Sequence, residues 1–177
     1  MARLNSPEEL ENFRQEIILK RDPNKPCISI CAGAGCIASG ANEVIAAFRA
    51  EIEKEGLEAD VDTKGTGCPG FCERGPVVVI YPEEICYLQV RAEDVPEIVS
   101  QTINKKEVVE RLLYEDPLTG ERAIHESDIA FYKHQQRTLL CNNIKIDSRR
   151  IDDYLAIGGY SALAKALFQM SDVDVLA

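Results

Sequence analysis

The stretch CISICAGAGC, residues 27–36, joins a short apolar run to a loop of small residues. Cys27 to Cys31 is predicted to form a β-strand. The loop that follows has a cysteine at each edge, Cys31 and Cys36, and glycines at positions 33 and 35. The first cysteine pair therefore lies where a predicted strand ends.

A second loop of the same kind follows about thirty residues later. The stretch GTGCPGFC contains Cys68 and Cys72, again among glycines. The alternation of Ala59-Asp60-Val61-Asp62-Thr63 predicts a half-buried strand before it. Two cysteine pairs, spaced C-x4-C and C-x3-C, are thus each predicted to follow a strand.

The order of the predicted elements indicates the fold class. They are a helix capped by Ser6, the strand 27–31, a helix near 41–55, the strand 59–63, a hairpin of 76–81 and 85–90, and a helix from Asp94 to about Thr102. A βαβ unit followed by a hairpin and a helix is typical of an α/β, thioredoxin-like fold. Its sheet is mixed and has helices on both faces.

The composition changes after about residue 105. A polar linker with Pro117 and Gly120 is followed by amphipathic stretches that predict a partial, mostly helical segment. We expect that segment to be too short to close a core by itself. The predicted domains are an N-terminal helix and lead-in (1–26), a thioredoxin-like domain (27–105), a linker (106–130) and a truncated domain (131–177).

Composition narrows the classes of function. The chain has 177 residues, 45% hydrophobic and 28% charged, with a net charge of −10. No basic stripe offsets this charge, which argues against nucleic-acid binding. No run is long enough to insert into a membrane, and no signal peptide is visible. We expect a cytoplasmic protein, in which seven cysteines are metal ligands or core thiols rather than disulfides.

Four thiolates on glycine-rich loops can hold a tetrahedral-sulfur metal centre. The favoured interpretation is a [2Fe–2S] cluster held by Cys31, Cys36, Cys68 and Cys72. The spacing is not that of plant-type ferredoxins, and the two histidines lie too far along the chain for a Rieske site. Structural zinc, which also uses cysteine pairs, is the alternative; the chain would then be a docking module without redox chemistry.

Other motifs carry less weight. Residues 33–38 fit the dinucleotide fingerprint G-x-G-x-x-A, but no acidic partner is clearly placed about 20 residues later. The absence of C-x-x-C disfavours a thioredoxin-type dithiol. The remaining cysteines, Cys27, Cys86 and Cys141, are predicted to be buried core thiols. No residue is assigned a catalytic role.

Residues 27 to about 103 resemble the thioredoxin-like [2Fe–2S] ferredoxins, including the small iron–sulfur subunit of respiratory complex I. The resemblance rests on CAGAGC, on CPGFC followed by Gly-Pro, and on the strand PVVVIY. It implies one-electron transfer through a cluster on the four named cysteines.

Residues 131–177 resemble the entry segment of the complex I-type flavin- and NADH-binding subunit, most strongly in IDDYLAIGGYSALAKAL. A ferredoxin domain ahead of that segment is similar to soluble electron-bifurcating or NAD(P)-linked hydrogenases and formate dehydrogenases. The resemblance implies partner iron–sulfur and flavoprotein subunits. Sites for FMN, NAD(P)H and a [4Fe–4S] cluster are expected only in a missing remainder, so enzyme activity is not assigned to these residues.

Overall fold

The computed structural model describes residues 3–176, which form two compact units. One unit runs from Pro23 to Asp147, and the other contains the described residues before and after that range. In chain order the elements are α1 (Pro7–Leu19), β1 (Cys27–Cys31), α2 (Ala34–Ala38), α3 (Ala41–Lys54), β2 (Asp62–Thr66), β3 (Val78–Tyr81), β4 (Ile85–Tyr87), α4 (Val95–Ile98), β5 (Tyr114–Glu115), β6 (Arg122–Ala123), α5 (Ala130–Lys133), α6 (Ile151–Ala156), α7 (Ser161–Gln169) and α8 (Asp172–Leu176).

The larger unit is built on a mixed sheet with the strand order β2-β1-β3-β4. Strand β1 pairs in parallel with β2 and antiparallel with β3, and β3 and β4 form the predicted hairpin. This topology confirms the predicted thioredoxin-like α/β fold. Strand β2 begins three residues later than predicted, because its register is set by pairing with β1, where Cys27 lies opposite Asp62.

One face of the sheet is covered by α3 and α4, the latter continued by a π-helical turn, Val99–Asn104. Alternation along the strands sends Ile28, Ile30 and Val78 to this face, where Phe48 of α3 is fully buried among them. The burial of these side chains is the main term that holds the helices on the sheet.

The other face of the sheet is covered by residues 129–147, which include α5. Ile129, Tyr132 and Ile144 are buried there against Val79 and Cys86. Helices therefore lie on both faces, as predicted, but the second face is covered by a four-residue helix and irregular chain. The amphipathic stretch from Ile129 to Leu140 is helical only over Ala130–Lys133.

The predicted linker, residues 106–130, packs into the larger unit. Val109 and Leu112 join the first core, and the Val109 backbone N–H donates to the Tyr87 hydroxyl at 3.0 Å. Residues 114–123 form the β5–β6 hairpin, and His125 bridges to Ile85 of β4. The predicted boundaries at residues 105 and 130 are therefore not boundaries of compact units. That residues 131–177 begin a flavin-binding domain stays a prediction.

The smaller unit consists of α1 with α6, α7 and α8. The Ser6 hydroxyl accepts from the Glu9 backbone N–H at 3.2 Å, as the predicted N-cap of α1 requires. Arg21 pairs with the buried Asp153 of α6 at 2.6 Å. Over the described residues of the whole chain, every helix is too short or too polar to cross a membrane.

Candidate metal centre

The sheet brings the two cysteine loops to one place. Parallel strands β1 and β2 end at the same edge, with Cys31 opposite Thr66 in the register. Cys31 is the last residue of β1, and Cys36 follows in the short helix α2. Cys68 and Cys72 lie just after β2. The parallel pairing therefore places all four cysteines at one edge of the sheet, although Cys31 and Cys72 are 41 residues apart in sequence.

The four sulfurs are arranged as two pairs. Cys31 and Cys36 are buried and hydrogen bonded to each other, and Cys68 Sγ lies 3.3 Å from Cys72 Sγ. The hydrogen bond from the Cys31 thiol lowers the pKa of Cys36 to about 7, while the same bond and burial raise the pKa of Cys31. Cys72 is exposed, so one pair faces the interior and the other reaches the surface.

Two glycines of the first loop lie directly against the second cysteine loop. A Cβ on Gly33 would lie 2.8 Å from Cys68 Cβ and 3.6 Å from Cys31 Sγ. A Cβ on Gly35 would lie 3.1 Å from Cys72 Cβ and 3.3 Å from its Sγ. Glycine is thus required at position 33 by the close approach of the two loops. The glycines of the G-x-G-x-x-A motif are thus explained by the packing of the two cysteine loops, not by the binding of a dinucleotide.

Backbone N–H groups point at the sulfurs. Gly33 donates to Cys31, Val77 donates to Cys36, and Gly70 donates to Cys68 at 3.3 Å. Such donors stabilise the negative charge of a thiolate and are one lever on the potential of an iron–sulfur cluster. The donor set, two thiolate pairs with backbone N–H groups around them, fits a binuclear iron–sulfur group.

The pairing of the sulfurs also bears on the zinc alternative. A structural zinc site gathers four ligands around a single ion, whereas a [2Fe–2S] group has two irons, each with two protein ligands. The two sulfur pairs, Cys31 with Cys36 and Cys68 with Cys72, match the second arrangement.

The other three cysteines lie in different surroundings. Cys86 is fully buried on β4, and burial raises its pKa to about 12. Cys27 is half-buried on β1. The expectation that Cys141 belongs to the core is wrong, because its side chain is exposed and contacts the Thr138 carbonyl at 3.3 Å. Polar residues surround it in sequence, with Thr138 before it and Asn142 and Asn143 after it.

Residues far along the chain also contact the second cysteine loop. Asn143 Nδ2 donates to the Cys68 carbonyl at 2.9 Å, and Phe131 stacks on Phe71 with ring centroids 4.4 Å apart. Sequence reasoning missed both residues because it assigned them to another domain. No local motif marks either of them, and only the folded chain brings them to the site.

The sequence profile of one family, "Thioredoxin-like [2Fe-2S] ferredoxin", matches residues 14–103. The chain belongs to the thioredoxin-like [2Fe–2S] ferredoxins. The matched range contains all four cysteines of the two loops and the whole four-stranded sheet. The chain therefore carries a ferredoxin domain whose family cofactor is a [2Fe–2S] cluster and whose family role is electron transfer.

Two individual ferredoxins agree with this assignment in sequence, and one solved structure is also similar to the chain. The chain is 42% identical over 77 residues to "Ferredoxin, 2Fe-2S" of Clostridium pasteurianum, which covers 44% of this chain and 76% of that protein. It is 42% identical over 79 residues to "Ferredoxin, 2Fe-2S" of Aquifex aeolicus, covering 44% and 71% respectively. The crystal structure of the wild-type thioredoxin-like [2Fe–2S] ferredoxin from Aquifex aeolicus is 34% identical, with a TM-score of 0.48, and covers 51% of this chain and 97% of that one.

Proposed function

We propose that Cys31, Cys36, Cys68 and Cys72 hold one [2Fe–2S] cluster, with the first pair on one iron and the second pair on the other. The observation that carries this proposal is the arrangement of the sulfurs as two contacting pairs, on two loops that approach each other at Gly33 and Gly35. When bound, such a cluster accepts and donates one electron at a time.

The surroundings of the two pairs differ, and this difference suggests a direction for electron exchange. Cys31 and Cys36 are buried at 0% and 1% exposure, so water and large partners are excluded from them. Cys72 is exposed. A redox partner can therefore approach most closely on the Cys72 side, and we place electron exchange there.

The host of this ferredoxin domain is a further part of the proposal. We infer one-electron transfer within a multi-subunit NAD(P)(H)-dependent oxidoreductase of the hydrogenase, formate dehydrogenase or complex I type. The support is the resemblance of residues 131–177, which lie outside the family match, to the start of a flavin- and NADH-binding subunit. The partners would be other iron–sulfur and flavoprotein subunits, in the cytoplasm. FMN and NAD(P)H would bind elsewhere in that assembly.

Metal analysis tests the cluster assignment. Purified protein is expected to contain two irons and two labile sulfides per chain and to be brown. Cys36→Ala and Cys72→Ala should lose most of the iron, because each removes one of four ligands. Cys86→Ala and Cys141→Ala are the matched controls and should keep it. Stoichiometric zinc without sulfide would support the docking module instead, and full iron content in Cys72→Ala would refute the ligand assignment.

Reduction kinetics test the host assignment separately. Dithionite should bleach the visible bands of the isolated protein, whereas NADH and NADPH should not. When a purified complex I-type flavoprotein subunit is added, NADH or NADPH should bleach these bands. A loaded protein that stays oxidised in that mixture would contradict the proposed partner class, while the cluster assignment would stand.

A further inference from the structure

Residues 129–147, here called the cover segment, lie on the loop that carries Cys68 and Cys72. Asn143 Nδ2 donates to the Cys68 carbonyl at 2.9 Å. Pro69, the residue after Cys68, has no backbone N–H and cannot donate a hydrogen bond. The Asn143 side chain also packs on Gly67, where a Cβ would lie 3.0 Å from Asn143 Cγ. One side chain therefore holds the start of the loop at two adjacent residues.

An aromatic cluster holds the other end of the loop. Phe71, which precedes Cys72, is stacked on Phe131 with ring planes 7° apart. Tyr132 meets the same ring edge-on at 5.6 Å. Phe71 is only 7% exposed as a result. Aromatic pairs in these geometries stabilise a contact beyond the effect of the area they bury. Both ends of the loop are thus in contact with the cover segment.

The cover segment is itself anchored to the same unit. Ile129 and Ile144 are buried on the sheet, and Asp147 forms a β-bridge with Thr66, the last residue of β2. Arg137 lies over the Tyr132 ring at 4.6 Å and pairs with Glu126 at 2.6 Å. A segment held at its beginning, middle and end can restrain the loop that it contacts.

We propose that the cover segment is part of the ferredoxin site: it positions the Cys68–Cys72 loop and limits the access of water and chelators to the partly buried Cys68, while Cys72 stays exposed. This inference rests on the proposed ligand role of the four cysteines. The segment lies outside the residues that match the family, 14–103. In this inference Asn143 and Phe131 are positioning residues, and the measurable consequences are cluster retention and reduction potential.

The two residues should shift the potential in opposite directions. Asn143 fixes the loop in which the Gly70 N–H donates to Cys68 Sγ, and losing that donor removes a stabilising dipole from the more negative reduced state. Phe131→Ala would instead let water approach, and water stabilises the reduced state. We expect a more negative potential in Asn143→Leu and a more positive one in Phe131→Ala.

The experiment uses the cluster-loaded protein of 177 residues and compares each variant with a control substitution in the same segment. Asn143→Leu keeps the branched shape without the donor, and Asn142→Leu makes the same change one residue earlier. Phe131→Ala is matched by Leu139→Ala, a residue of the same segment that is 92% exposed. The readouts are the rate of cluster loss to a strong iron chelator and the midpoint potential.

Loss of the cluster should be about fivefold faster in Asn143→Leu than in Asn142→Leu, the factor expected for one hydrogen bond. Phe131→Ala should also lose its cluster faster than its control, Leu139→Ala. Circular dichroism should show that all four variants are folded. Equal rates and potentials within both pairs, with full iron loading, would overturn the inference while leaving the ligand assignment intact. Wild-type protein without iron and sulfide would instead overturn the proposed function.

Discussion

Gly75 lies directly against Cys36. A Cβ on Gly75 would come within 2.5 Å of Cys36 Sγ and 3.3 Å of the Cys72 carbonyl oxygen. Cys36 is buried, so its side chain has little room to move away. The glycine that precedes Pro76 therefore allows the chain to pass close to one of the proposed ligands.

Gly75→Ala should consequently weaken cluster binding. The added methyl group would push Cys36 Sγ out of position, and we expect most of the iron and sulfide to be lost on purification. Gly65→Ala on β2 is the control, because its Cβ would make ordinary contacts at 3.4 Å and 3.7 Å. Iron analysis and the visible spectrum measure the effect. A fully loaded Gly75→Ala protein would show that this contact does not restrict the site.

Tyr87→Phe should destabilise the larger unit. The fully buried Tyr87 hydroxyl lies 2.6 Å from Thr102 Oγ1 and accepts from the Val109 N–H at 3.0 Å. Phenylalanine would leave both partners buried without that bond, a cost of about 1–3 kcal/mol in the free energy of unfolding. Chemical denaturation followed by circular dichroism measures it. Tyr154→Phe, at a half-exposed tyrosine, serves as the control, and equal stability of the two variants would contradict the prediction.

Cys86 and Cys141 should differ sharply in reactivity toward iodoacetamide at pH 8. Burial raises the pKa of Cys86 to about 12, so at pH 8 its side chain is a protonated thiol and not the reactive thiolate. The side chain is also fully buried, so the alkylating agent cannot reach it. Cys141 is exposed. Peptide mapping of loaded, folded protein should find modification at Cys141 and none at Cys86, whereas unfolded protein should react at both. Comparable modification in the folded state would contradict the burial of Cys86.

Residues 33–38 should not bind a dinucleotide, despite the match to G-x-G-x-x-A. Gly33 and Gly35 pack against Cys68 and Cys72, and the helix that follows has only five residues. The protein of 177 residues is also expected to bind neither NADH nor FMN and to lack NADH oxidation activity, because the glycine-rich loop that resembles such sites is expected only in the missing remainder. Equilibrium dialysis with each cofactor is the direct measurement. One bound cofactor per chain would show that this expectation is wrong.

Much of the fold could be predicted from the sequence because its signals are local. The apolar run Cys27–Cys31, the helical spacing within α3 and the hairpin of β3 and β4 all lie where they were predicted. The cap at Ser6 was predicted from a short motif. The spacing of the cysteines in two glycine-rich loops also indicated the type of centre, since ligand type and loop chemistry are written in consecutive residues.

The sequence by itself determined the four cysteines, the order of the strands along the chain and the class of the fold. Only the tertiary structure decided how residues 106–147 are used. Their composition is that of a connecting arm, yet Val109 joins the first core and Ile129 the second. Asn143 reaches Cys68 across 75 residues of chain. Such contacts depend on which surfaces of the sheet are left uncovered by the other elements. The local spacing of apolar residues cannot predict those surfaces.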